Sequence, residues 1–177
     1  MILTTPRLIL RPWTDDDLDV FAAMHADPAV MVDMAALDRE ESAAKLARYR
    51  GNYDRLGYSR WAMTDLDGAF LGYVGLNPLD SDHPCGPGAE IGWRLTRAAW
   101  GHGYVTEGAK ASLKDAFERI GLTEVVSFTA PDNARSQAVM GRLNLTREPA
   151  RDFTAPYPGG DWSGLVWVAR PPSDDTP

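Results

Sequence analysis

Apolar and basic residues alternate through "RLILRPW" (Arg7 to Trp13), the two-residue period of a half-buried strand. The period then lengthens. In "TDDDLDVFAAMHAD", Thr14 is placed to cap a helix and three aspartates suit its positive end. Leu18, Phe21 and Ala22 share one face of that helix, and Asp27-Pro28 ends it. Spacings of three and four at Ala43, Leu46, Tyr49, Arg50 and Tyr53 predict a second helix over Arg39 to Leu56. "SRWAMTDLDGAFLGYVGL" holds two strand-like runs around Asp67-Gly68, a hairpin turn signal. The proline and glycine of Asn77 to Gly88 predict a loop. "AEIGWRL" (Ala89 to Leu95) predicts a further strand. From Tyr104 a stripe of Val105, Ala109, Leu113, Phe117 and Ile120 predicts a helix, stopped by Gly121. "EVVSFTA" predicts a buried strand, and "NARSQAVMGRL" a helix with Asn133 as N-cap and Asn144 left-handed beyond its end. Last strands are expected over Thr146 to Phe153 and Trp162 to Ala169, on either side of a "TAPYPGGD" loop. With no internal repeat and no linker, one α+β domain with a mixed sheet is expected over 1–170. Residues 171–177 are expected to form a disordered tail.

Composition narrows the function classes. The chain has 177 residues, and a net charge of -7 argues against general binding to nucleic acid or to an anionic membrane. The same acidity is weakly compatible with a cationic substrate such as an amine. No apolar run approaches the ~18 to 20 residues of a membrane span, and "MILTTPRLILRPW" is too polar for a secretory signal. The single cysteine, Cys85, rules out an internal disulfide framework and suits a reducing cytoplasm.

The candidate chemistry lies in "WGHGYVTEGAK" (Trp100 to Lys110), which follows the fourth strand candidate. A Walker A loop requires G-x-x-x-x-G-K-[ST]. Gly103 and Gly108 have that separation, but Ala109 occupies the lysine position and Lys110 the hydroxyl position. The dinucleotide fingerprint fails because Thr106 replaces its third glycine. What remains is a strand, a G-x-G turn and a helix N-terminus whose first N–H groups are free to meet a phosphate. The alternative is that Gly101 and Gly103 only make a tight turn.

Four segments bear on that choice: "TPRLILRPWTDDDLDVFAAMHADPAVM", "WAMTDLDGAFLGYVGL", "AEIGWRLTRAAWGHGYVTEGAKA" and "APDNARSQAVMGRLNL". In this order the sequence resembles the GNAT N-acetyltransferase superfamily, in the branch typified by ribosomal-protein N-terminal acetyltransferases (RimJ/RimL-like). The resemblance implies a GNAT fold: a mixed, mostly antiparallel central sheet, splayed between the fourth and fifth strands and flanked by helices. It implies acetyl-CoA as cosubstrate and no metal. The cofactor's pyrophosphate would meet the amides of His102, Gly103, Tyr104 and Val105, with Gly101 making the turn. Trp93 and Leu95 would bond the pantetheine arm, and Asn133 and Ser136 would lie near the arm and thiol. Asn133 is equally a helix cap. The superfamily often has Gln or Arg three residues before the first glycine, whereas this chain has Ala98, with Arg97 adjacent. His102 is expected to be exposed near phosphate rather than catalytic. Tyr53, Tyr58 and Trp61 are candidates for the acceptor site. A homodimer is compatible with the branch.

Acetyl transfer needs a neutral amine and a proton for the leaving thiolate. An α-amine, with a pKa of about 7.7 to 8.0, is about one-tenth neutral at pH 7, and a lysine amine is neutral less than about once in a thousand. Glu90, at the start of the splayed strand, is the candidate base through water; its alternative is a carboxylate on a strand edge. Many GNAT enzymes carry a tyrosine acid four residues after the asparagine. Gln137 stands there, which leaves Ser136 as the nearest replacement. Glu107 is expected to serve the helix dipole. His25 is expected near the end of its helix as a surface histidine, and the Asp82-His83-Pro84-Cys85 stretch is weighed as a metal site and set low. The leading function is acetyl transfer to a peptide N-terminal α-amine or a small-molecule amine. The alternative is a non-catalytic acyl-CoA-binding sensor or partner domain.

Overall fold

A computed structural model describes residues 1–32, 34–157 and 160–172. The chain opens with two short strands, β1 (Leu3–Thr4) and β2 (Ile9–Arg11). Next come α1 (Leu18–Ala26), α2 (Arg39–Leu56) and the strands β3 (Arg60–Thr64), β4 (Phe70–Leu79) and β5 (Gly88–Leu95). The second half holds α3 (Tyr104–Glu118), β6 (Val125–Thr129), α4 (Ala134–Arg142), β7 (Thr146–Arg147), β8 (Phe153–Tyr157) and β9 (Gly160–Ala169). The sheet runs β1-β2-β3-β4-β5-β6-β9-β7, with β8 paired to β9. Every pairing is antiparallel except β5 with β6. The α+β arrangement expected from the sequence, a mixed and mostly antiparallel sheet with helices, is therefore present. The extra strand β1 moves the expected splay to β5 and β6. No helix among the described residues is long and apolar enough to cross a membrane.

Local chemistry explains most of the boundaries. Thr14 does start a helical segment: its N–H and hydroxyl both bond Asp17 Oδ2, at 2.8 and 3.0 Å. The first turn is 3-10, Asp15–Asp17, and the α-helix begins at Leu18. Helix α2 is closed by a reciprocal box. Glu41 N–H donates to Asp38 Oδ1 and Asp38 N–H to Glu41 Oε2, both at 2.8 Å, and Gly57 ends the helix at φ 73°. Asn144 takes the left-handed conformation expected of it, at φ 57°.

Three expectations need correction. The loop from Asn77 begins later, because Asn77, Pro78 and Leu79 pair with Glu90, Ala89 and Gly88. The missing N–H of Pro78 faces the β3 side, beyond that strand's first residue, where no ladder bond is lost. The strand expected over Thr146 to Phe153 is cut to two residues by a 3-10 turn at Pro149–Arg151, since Pro149 has no donor. The "TAPYPGGD" segment is largely hairpin: β8 pairs with β9 from Phe153↔Gly164 to Tyr157↔Gly160. Residues 158 and 159 of that segment, and 173–177 of the expected tail, lie outside the described residues.

The sheet's two faces carry separate cores. Leu10, Met63, Val74, Ala109 and Leu113 pack together beneath α3. Gly108 is the closest approach there: a Cβ on it would meet Val74 Cγ1 at 2.9 Å. On the other face Phe21, Met24, Leu46 and Tyr49 of α1 and α2 cover Trp13, Ala62 and Tyr73. His25 belongs to that second core, not to the surface. It is fully buried, 4.2 Å from the Phe21 ring and stacked at 5.8 Å on Tyr73, with Nδ1 donating to Phe21 O at 2.9 Å. Helix periodicity placed it near a helix end but could not say that the end is covered.

Burial first, and then the charge of Lys45, push the His25 imidazole down to about 4, so it stays neutral in the fold. The unfolded chain takes up a proton near the ordinary histidine value of about 6.5. Between those values the unfolded state holds more protons, so stability is lost as pH falls and is regained as pH rises. The expected loss from pH 7 to pH 4 is about 3 kcal/mol. Urea unfolding across that range measures it. In His25→Phe the slope between pH 6.5 and 4 should flatten; an unchanged slope would assign the loss to other groups.

Candidate functional site

The turn after β5 is built from backbone. A 3-10 turn, Arg97–Ala99, leads to Trp100, and Gly101 and Gly103 then take φ 81° and 77°, a region that side-chain-bearing residues avoid. Gly103 is the N-cap of α3, whose first bond runs from Glu107 N–H to Gly103 O at 3.2 Å. Among the described residues, the N–H groups of His102, Gly103, Tyr104 and Val105 donate to no protein acceptor. Four unspent donors at a helix N-terminus are an arrangement suited to meeting an anion. The tight-turn alternative does not use them.

Arg7 and Glu107 lock this loop to the chain's start. Arg7 donates from Nη1 to His102 O (3.0 Å) and from Nε to Glu107 Oε2 (2.7 Å), with its guanidinium 4.9 Å from the Tyr104 ring centre. Glu107 also accepts from Thr5 Oγ1 (2.6 Å) and Arg7 N–H (3.0 Å). Burial pushes the Glu107 carboxyl up, but the bonds from Thr5 and Arg7 outweigh it and hold it below the usual range. Glu107 is thus a clamp as well as a helix-dipole partner. On the other side Arg135 of α4 lies 4.6 Å from the Trp100 ring.

Strands β5 and β6 touch at one register, Glu90↔Val126, and the last tie is Ser127 Oγ donating to Ile91 O at 2.9 Å. Past it the strands part, leaving the Trp93–Leu95 edge unpaired on that side. A cavity of about 690 Å³ fills the gap, lined by Trp93, Leu95, Gly101, Tyr104, Asn133 and Ser136 among others. That volume lies in the range of ligand sites, about 300 to 1,000 Å³. Free donors at one end and an unpaired strand edge along the side fit a diphosphate carrying an extended, amide-bearing arm. Asn133 does cap α4, its Oδ1 accepting Ser136 N–H at 3.1 Å. Gln137, in the position of the missing tyrosine, donates to Pro131 O at 2.8 Å and so holds the preceding turn. His102 is exposed and does not line the cavity.

A second cavity, about 430 Å³, meets the first at Trp93, Arg94 and Ser136. Helix α2 contributes Lys45, Arg48 and Tyr49 to it; the sheet contributes Arg60, Tyr73, Glu90 and Arg94. Arg60 Nη2 bonds Glu90 Oε1 at 2.6 Å in a buried ion pair, and Arg60 Nη1 also bonds Gly75 O. This reach is possible because Arg60, Gly75 and Gly92 are successive cross-strand partners. The guanidinium lies across the second glycine: a Cβ on Gly92 would come within 2.7 Å of Arg60 Nη2. Burial pushes the Tyr73 hydroxyl up. Lys45, Arg94 and Arg60, with a hydrogen bond from Arg94, outweigh it and pull Tyr73 below the ordinary tyrosine value.

Tyr53, Tyr58 and Trp61 line neither cavity. Strand alternation turns Trp61 toward the α3 core while Arg60 and Ala62 face the other side. Tyr53 packs on Trp61 with ring centres 5.4 Å apart and accepts the Met1 ammonium at 2.8 Å. The tyrosines that line the second cavity are instead Tyr49, one turn earlier on α2, and Tyr73. A charged residue opening an otherwise uncharged strand, Arg60 in "RWAMT", is the sequence signal that could have found the site. His83 also lines the second cavity. Its Nδ1 accepts Cys85 N–H at 3.0 Å and its ring stacks on Phe128 at 5.1 Å, while burial raises the Cys85 thiol.

Residues 7–146 match the family described as Acetyltransferase (GNAT) domain. The FsC-acetyl coenzyme A-N(2)-transacetylase of Aspergillus fumigatus is 31% identical over 168 residues, covering 89% of this chain and 71% of its own length. The acetyltransferase of Agrobacterium tumefaciens str. C58 superposes with a TM-score of 0.81 at 27% identity, covering 97% of this chain and 95% of that one. RimL, a ribosomal alpha-N-protein acetyltransferase solved with coenzyme A, has the same fold: TM-score 0.79 at 18% identity, over 98% of this chain and all of that one (100%).

Proposed function

The chain belongs to the GNAT acetyltransferase family and is an acyl-transferring enzyme, and we propose that it carries acetyl from acetyl-CoA to a primary amine, on a peptide N-terminus or a small molecule, by direct attack in a ternary complex. One observation carries this reading: two cavities, one ending at free helix donors and one among titratable side chains, join at Trp93, Arg94 and Ser136 between parted strands. A thioester entering from one side and an amine from the other would meet there. The Aspergillus relative, named for transfer from acetyl coenzyme A to a nitrogen, supports it. The likeness to RimL supports a RimJ/RimL-like place within the family, and with it a peptide acceptor.

The residues divide the work. His102, Gly103, Tyr104 and Val105 supply backbone donors for the diphosphate. The Trp93–Leu95 edge offers N–H and C=O groups to the amides of the arm. Acetyl-CoA brings a carbonyl activated by a thiolate leaving group. Ser136, at the junction, is the hydroxyl placed to give that thiolate a proton. Glu90 has one oxygen on Arg60; among the described residues Oε2 accepts from no group and is open to a water that relieves the acceptor ammonium of its proton. Thiol release from acetyl-CoA with a panel of N-terminal peptides and small amines tests the reading. Amine-dependent release is expected. Acetyl-CoA binding with no release on any amine would overturn it in favour of an acyl-CoA sensor.

A further inference from the structure

The second cavity has a sign. Among the described residues that line it, Lys45, Arg48, Arg60 and Arg94 are cations, and the one carboxylate, Glu90, is bound to Arg60. Arg94 is committed as well, donating to Val30 O at 2.6 Å. Lys45 and Arg48 differ from these. They lie on one face of α2, three residues apart, and neither forms an ion pair with a described carboxylate; Arg48 rests against the Tyr49 ring, 5.8 Å from its centre. The lining also holds an aromatic cluster, in which Phe128 makes edge contacts with Phe153 and Trp162 and the latter two rings lie tilted 5.7 Å apart. A protein of net charge -7 therefore places local positive charge where its acceptor must sit. The sequence pointed the other way, since overall acidity is compatible with a cationic partner.

We propose that the acceptor amine belongs to a molecule bearing an anionic group, a carboxylate or a phosphate, which seats against Lys45 and Arg48 while its apolar part lies on the Phe128, Phe153 and Trp162 cluster. This rests on the transferase reading above and adds the acceptor's charge class to it. Coulombic matching explains the preference: an anion neutralises the charge of Lys45 and Arg48, which no described carboxylate pairs, whereas a polyamine adds to it. Burial, and then the neighbouring cations, lower the Lys45 ammonium, as expected where like charges crowd a half-covered cleft. The same field favours the neutral form of the acceptor's own amine. That lightens the demand on Glu90 as a base.

Matched acceptors decide it. Thiol release is measured for glycine against glycinamide, for O-phosphoethanolamine against ethanolamine, and, as C-terminal amides, for Ala-Glu-Glu against Ala-Gln-Gln and Ala-Lys-Lys, with spermidine as the cationic extreme. In every series that turns over, the anionic member should have a kcat/KM about tenfold or more above its neutral partner, the effect of one hydrogen-bonded charge contact. Lys45→Met and the exposed-site variant Arg48→Gln should each remove most of that ratio without changing acetyl-CoA affinity by calorimetry. The peptide and phosphate series identify which anionic source is used. A faster rate on Ala-Lys-Lys or spermidine, or a ratio untouched by both variants, overturns this proposal and leaves the transferase reading intact. Acetyl-CoA binding with no release on any amine overturns the transferase reading and this one with it.

Discussion

Gly103→Val is expected to weaken acetyl-CoA binding by a factor of about a hundred or more while the domain still folds. The substitution is not a steric block. A Cβ at this position finds only Arg7 Nη2 within reach, at 3.8 Å. The effect comes from φ 77°, a conformation that costs a side-chain-bearing residue roughly 1 to 2 kcal/mol and a β-branched one more. The chain relieves that strain by rotating toward negative φ, which turns the neighbouring N–H groups off their common focus. Hydrogen bonds to a charged group contribute about 1.5 to 3 kcal/mol each. Losing two of them, about 3 to 6 kcal/mol, corresponds to about a hundredfold to ten-thousandfold in Kd. The fold should hold because the bonds of Thr5 and Arg7 to the Glu107 carboxylate lie outside the rotated plane, although the His102 carbonyl that Arg7 also bonds shares that plane with the Gly103 N–H. Calorimetric titration with acetyl-CoA reads the affinity, and circular dichroism confirms the fold. Wild-type affinity in a folded Gly103→Val protein would show that these donors do not hold the diphosphate, and the transferase reading would lose its anchor.

The two halves of the site differ in how far the sequence reveals them. The glycine loop is legible because its function is local: a strand, two glycines and a helix start within about ten residues define both conformation and donors. Helix α2 is legible for the same reason, as Asp38, Glu41 and Gly57 each act within one turn. The acceptor cavity is different. Lys45, Arg60, Tyr73, Glu90 and Trp162 come together only through the register of β3, β4 and β5 and the fold of the last hairpin. Every residue of β3 is buried, so alternation of polarity could not say which face Trp61 or Arg60 takes. Two tyrosines one turn apart on α2 likewise left open whether Tyr49 or Tyr53 faces the cleft. The burial of His25 was hidden too, because what covers it arrives from α2 and from Tyr73 on β4.

Glu90→Ala is expected to destabilise the fold by about 3 to 5 kcal/mol, the usual consequence of removing one partner from a buried ion pair. The reason lies in the row Arg60, Gly75, Gly92. Two glycines clear a channel over the sheet, the guanidinium fills it, and without Glu90 a positive charge remains there with, among the described residues, only the Gly75 carbonyl as acceptor. Arg60→Met/Glu90→Leu should recover most of that stability, since an apolar pair of similar volume removes the uncompensated charge along with the partner. Urea unfolding of the two variants measures both effects. Turnover separates the structural role of Glu90 from the catalytic one. If its free oxygen relays the acceptor's proton, the restored double variant should bind acetyl-CoA as the native protein does, yet transfer acetyl about a hundredfold to ten-thousandfold more slowly. Its rate should also rise with pH as the amine loses its proton to solvent instead. A double variant that regains native turnover along with native stability would confine Glu90 to holding Arg60 across the glycines, and would leave the cationic cleft and bulk water as the means by which the amine is made neutral.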